Sequence, residues 1–192
     1  MSSHTIADRS SATGAVANTQ TVGKLGGIGI AALRIALGFV FLWAFLDKTF
    51  GLGYSTAAER SWLSGGSPTN GFLSRVEVGP LQSLFNAIAG TWWADLLFMV
   101  GLLTIGVALI AGVALRLAAA AASLMMVLMW AAEWPLAQFT STGAANGSSN
   151  PFVDYHLIYA LSAIVLAVIG AGSYFGLAKW WAGITKGNAV LR

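Results

Sequence analysis

Long apolar runs broken by short polar stretches dominate the chain. Residues 26–46 are apolar except for Arg34, and the run ends at Asp47-Lys48. At ~1.5 Å per residue a helix of that length crosses a hydrocarbon core of ~30 Å. Residues 96–132 carry a single charge, Arg116, and are too long for one crossing. They predict two spans, 95–113 and 116–134, joined by a tight turn. A fourth span, 155–177, follows Asn150-Pro151, where Asn can cap a helix and Pro suits its first turn. With the first span at 26–47, the pattern predicts an all-α integral membrane protein built as a four-transmembrane-helix bundle. All four prolines fall outside the apolar cores of these spans, as uninterrupted helices in lipid require.

The polar stretches predict the rest of the layout. Residues 1–22 are small, polar and aperiodic, and read as a disordered cytoplasmic tail ahead of a membrane domain, 23–192. The long loop between spans 1 and 2 contains an apolar segment, 79–90, too short to cross, which predicts an interfacial or re-entrant helix. Asn146-Gly147-Ser148 matches a glycosylation sequon over three residues only. Small residues recur at four-residue spacing, as in Gly27 and Ala31, Ala108 and Gly112, Ala118 and Ala122, and Gly172 and Gly176. Such pairs let helix backbones approach closely, within one bundle or in a homo-oligomer.

Composition narrows the class. Only 9% of the 192 residues are charged and 57% are hydrophobic, with a mean hydropathy of +0.74. A soluble domain carries roughly 25% charged residues, so a soluble enzyme or nucleic-acid-binding module is excluded. The small basic excess reads as topology. Arg9, Lys24, Arg116, Lys179, Lys186 and Arg192 fall on one side, and Lys48, Arg60 and Arg75 on the other. The positive-inside rule then places both termini in the cytoplasm of a multi-pass protein.

The absence of cysteine removes disulfides, iron–sulfur ligation and persulfide chemistry from this chain. Histidine is nearly as scarce, His4 lying in the tail and His156 at the start of span 4. One copy therefore cannot hold a bis-His haem, and scattered carboxylates with one His make no recognisable metal set.

Ionisable groups in a membrane helix are costly and need a reason. On this topology Asp47, Lys48, Asp95, Glu133, Asp154 and His156 all fall at the outer helix ends. A mouth lined by acids, a base and an aromatic rim suits a quinone headgroup or a proton relay. In that reading Asp154, His156, Glu133 and Asp95 exchange protons, histidine doing so near neutral pH. Trp134, Tyr159 and Lys48 contact the ligand. Solvated charges at helix ends are the plainer reading of the same pattern. Arg34, alone inside a span, either snorkels to a lipid phosphate or faces inward to bind an anion or carboxylate.

Several stretches are similar to the DoxX/DoxD family. They are Arg34…Gly38…Asp47-Lys48-Thr49-Phe50-Gly51, the loop Trp62-Leu63-Ser64-Gly65-Gly66-Ser67-Pro68-Thr69-Asn70-Gly71-Phe72-Leu73, Trp93-Ala94-Asp95-Leu96-Leu97-Phe98-Met99, Gly112…Arg116, and Asn150-Pro151-Phe152-Val153-Asp154-Tyr155-His156-Leu157-Ile158-Tyr159. The resemblance implies a four-helix prokaryotic cell-membrane protein. One branch resembles the membrane subunit of thiosulfate:quinone oxidoreductase, which implies a quinone, partner redox subunits in the membrane, and an oxidoreductase role. A non-catalytic accessory subunit of a respiratory complex is the alternative.

Overall fold

The computed structural model describes residues 23–188, 190 and 191, so the expected tail at 1–22 lies outside the described residues. The described residues are helical, with one isolated bridge, Phe139 to Ala145, outside the helices. Helix α1 runs Lys24–Phe50, and α2 (Asn70–Leu73) and α3 (Gln82–Ile88) lie in the loop that follows. Then come α4 (Trp92–Ala111), α5 (Leu115–Glu133), α6 (Tyr155–Val168) and α7 (Ala178–Ile184). Three of these, α1, α4 and α5, are long and apolar enough to cross a membrane.

Helix α1 packs on α4, α4 on α5, α5 on α6, and α6 back on α1. Two glycines set the closest approach. A methyl group on Gly38 would lie 2.9 Å from the backbone nitrogen of Ile110, and one on Gly106 would lie 2.7 Å from that of Leu42. Each helix thus presents a notch to the other's backbone, as small-residue packing predicts. Phe41, Met99, Ile105, Leu109, Ala122, Ala163 and Leu166 fill the centre. The opposite faces stay apolar and open, with Phe39, Leu97, Leu124 and Val168 52%, 66%, 63% and 80% exposed. A water-soluble fold hides such residues; a lipid-facing one displays them.

Breaks between helices follow local chemistry. Gly51 ends α1 in the left-handed conformation (φ 66°), its N–H donating to Asp47 O at 2.8 Å. A side chain there would also strike Ala58. Gly112 (φ 73°) and Ala114 (φ 48°) make the turn between α4 and α5. Asp154 caps α6, its Oδ1 accepting the N–H groups of His156 and Leu157 at 3.0 and 3.2 Å.

The fourth apolar run departs from the predicted 155–177 helix. Helix α6 stops at Val168, followed by Gly170 in the left-handed region and a 3-10 turn at Ala171–Ser173. Gly172 and Gly176 are therefore not a helical packing pair. Gly172 lets the carbonyl oxygen of Gly112 sit where a methyl group would be, and Leu177 N–H donates to Ala111 O at 2.9 Å. This non-helical strip lies across the α4–α5 turn, and Arg34 ties it there.

Candidate functional site

Arg34 anchors one end of the helix ring. It is wholly buried, with Nη1 donating to Leu109 O at 2.5 Å and Ile110 O at 2.7 Å. Nη2 donates to Tyr174 O at 3.4 Å and Phe175 O at 3.3 Å. The last carbonyls of a helix lack intrahelical donors and form the negative end of its dipole, so a guanidinium there is favoured twice over. The planar fork reaches the end of α4 and the irregular strip together. The anion or lipid phosphate expected on Arg34 finds that guanidinium already enclosed by four carbonyl oxygens.

The other end, called here the mouth, gathers the remaining candidates, in three separate groups. Asp95 (7% exposed) binds the loop: its Oδ1 accepts Thr69 N–H at 3.0 Å, Thr69 O–H at 2.6 Å and Ser67 O–H at 2.9 Å. The Ser67-Pro68-Thr69 motif is thus a clamp on α4. Asp47 does the same for the turn after α1, accepting from Tyr54 N–H and from the N–H and hydroxyl of Ser55. Both carboxylates are occupied by the loop and stand outside the polar cluster formed by α5 and α6.

That cluster joins Glu133, Asp154, Tyr155 and His156. With its proton on Nδ1, the buried imidazole donates to Asp154 Oδ2 at 2.9 Å, and Glu133 Oε2 lies 3.9 Å from the same nitrogen. Tyr155 O–H donates to Glu133 Oε1 at 2.9 Å. One ligand atom from each of Glu133, Asp154 and His156 lies within 4.8 Å of the others. A cation on Nδ1 would displace the Asp154 hydrogen bond and move the ring proton to Nε2. Nε2 is buried with no partner, so that proton would lack an acceptor. The geometry favours a hydrogen-bonded helix cap.

Two cavities meet at Glu133. One, about 540 Å³, has the more polar lining of the two and lies against the loop after α5, with Arg75, Glu77, Asn146, Asp154 and Tyr155 on its walls. The other, about 570 Å³, lies between α4 and α5 and is apolar, walled by Trp93, Phe98, Gly101, Met125 and Met129. Exposed Leu97 and Leu124 stand at its rim, opening it toward the apolar outer surface. Lys48, Thr69 and Glu133 supply polar groups. Lys48 is half-buried and makes no hydrogen bond or ion pair among the described residues. Its neighbouring opposite charge is Asp47, so the ammonium itself has no direct partner among the described residues.

His156 lines neither cavity, and nor do Trp134 and Tyr159. Trp134 takes a left-handed conformation (φ 43°), stacks edge-on with Trp130 at 5.6 Å and packs over Gly79. Tyr159 lies edge-on to Tyr155 at 5.9 Å and packs on the core. The sequon residue Asn146 closes α5, its amide nitrogen donating to the carbonyls of Glu133, Trp134 and Ala137. The cavity-wall residues Phe98, Gly101 and Met125 are the ones the apolar pattern did not single out. Their i, i+3 and i+4 steps on α4 and α5 were visible, but that spacing equally describes a filled core.

No family model, no curated protein and no solved structure matches the chain.

Proposed function

We propose that this chain is a multi-pass membrane subunit that holds a quinone in the apolar cavity between α4 and α5, within a redox complex whose electron donor sits on a partner. The observation that carries the reading is the cavity itself: 570 Å³, apolar walls, an opening toward lipid, and an unpaired Lys48 ammonium on its lining. Ligand pockets of roughly 300–1,000 Å³ with few placed polar groups are the usual form of such sites. A quinone ring and the start of its tail suit the walls, and a quinone carbonyl suits the ammonium. The motif resemblance to the DoxX/DoxD family supports the same assignment.

In this reading the chain crosses a prokaryotic cell membrane four times with both termini cytoplasmic, following its Lys/Arg distribution. Helix α6 is only 14 residues, about 21 Å, so the fourth crossing is completed by the irregular strip after it. Within that strip Ala171 and Gly172 are buried, and Arg34 donates to the carbonyls of Tyr174 and Phe175, as irregular backbone at membrane depth requires. The short helix α3 leans Phe85 on Val76 and Ala132 and roofs the cavity from the mouth side.

The engagement of Arg34, Asp47 and Asp95 in holding backbone favours a second reading, a non-catalytic accessory subunit. Titration of the full chain in nanodiscs with a short-chain ubiquinone analogue, read by tryptophan quenching, separates the two. Saturable binding that Lys48→Met weakens by about ten- to a hundred-fold is expected, since a hydrogen bond to a charged group contributes roughly 1.5–3 kcal/mol. Linear partitioning, identical in both proteins, leaves the accessory role.

A further inference from the structure

The mouth cluster divides unevenly between the two cavities. Asp154 and Tyr155 line the polar cavity, Lys48 lines the apolar one, and His156 lines neither. Glu133 alone among the acids lines both. Its side chain is 32% exposed, enough to meet water on one side while forming part of the apolar wall on the other. Its surroundings hold it there: Tyr155 O–H donates to Oε1, and Oε2 lies 3.9 Å from His156 Nδ1. The ionisable groups around it are Asp154, Tyr155 and His156 from α6, Lys48 from α1, and Arg75 and Glu77 across the polar cavity.

We infer that Glu133 is the proton conduit between the aqueous cavity and a quinone in the apolar cavity, with His156 and Asp154 a structural cap beside it. The inference rests on the quinone reading of the apolar cavity. A quinone becomes a quinol by taking two electrons from a partner's redox centre and two protons. Each proton leaves the Glu133 carboxyl as an O–H bond forms on a quinone oxygen, and the resulting carboxylate is reprotonated from water in the polar cavity. Tyr155 holds the carboxylate facing that water. General acid catalysis of this kind contributes typically 10²–10⁴-fold.

Electrochemical reduction of a short-chain ubiquinone analogue bound to the full chain, followed by infrared difference spectroscopy, tests the assignment. The C=O stretching band of the Glu133 carboxyl should shift on reduction, that difference signal being lost in Glu133→Gln, moved in Glu133→Asp, and kept in Glu59→Gln, an acid on neither cavity. Proton uptake should slow at least about tenfold in Glu133→Gln, while the dissociation constant changes no more than about threefold. Persistence of the band in Glu133→Gln, or proton uptake at the wild-type rate, overturns the conduit and leaves the quinone site standing. Absence of saturable quinone binding to the wild-type chain overturns both.

Discussion

Replacing Arg34 by Met keeps most of the side chain's length and apolar stem but deletes the guanidinium. Two close bonds to Leu109 and Ile110 and two longer ones to Tyr174 and Phe175 are lost. A hydrogen bond to a charged group contributes roughly 1.5–3 kcal/mol, so the two close bonds alone suggest about 3–6 kcal/mol. Leu109 O also accepts the N–H of Gly112 at 3.2 Å, which places the value toward the lower end. For a chain of this size 1 kcal/mol moves Tm by roughly 2–4 °C, so Arg34→Met should lower it by about 6–12 °C. Arg34→Lys should recover only part of that, because one ammonium cannot span both pairs of carbonyls. The assay is thermal unfolding of detergent-purified protein, followed by size-exclusion chromatography of heated samples. A Tm within about 2 °C of wild type for the Met variant would refute the claim that Arg34 ties the irregular strip to α4.

Two further outcomes follow from the mouth and the topology. Asp95→Ala frees the Ser67–Thr69 clamp by removing all three of its hydrogen bonds to α4. Trypsin should then cut after Arg60 and Arg75 at least about tenfold faster, and an unchanged digestion rate would contradict the clamp. Because the chain has no cysteine, single cysteines at Ser10 and Ser148 can be probed with an impermeant thiol reagent in whole cells. Ser148 should label and Ser10 should not; the reverse pattern inverts the orientation.

Hydrophobic periodicity made α1, α4 and α5 legible, because a span of some 20 apolar residues has few other solutions. The fourth run was legible as apolar but not as broken. Gly172 and Gly176 read as helix-packing residues, and only tertiary contact with Gly112 and Arg34 reveals that they belong to a non-helical strip. At the site, residue types were visible and their groupings were not. Asp95 and Asp154 look alike in sequence, yet one holds a loop hydroxyl and amide while the other caps a helix. What separates them is which loop folds back onto which helix end, and that is set by long-range packing. The apolar cavity was hidden for a related reason: Ala94, Gly101 and Ala121 mark either close packing or a void, and periodicity does not distinguish these.

The space between α4 and α5 should act as a ligand site. A photoreactive short-chain quinone, irradiated with the full chain in nanodiscs and mapped by peptide mass spectrometry, tests it most directly. Labelling should concentrate on the cavity walls, at Trp93 to Ile105 of α4 and Ala121 to Met129 of α5, and fall about tenfold or more in Gly101→Leu, whose side chain enters the cavity beside Met125. Labels spread evenly over the lipid-facing surface, including Phe39 of α1 and Ile164 of α6, and unaffected by Gly101→Leu, would contradict the site.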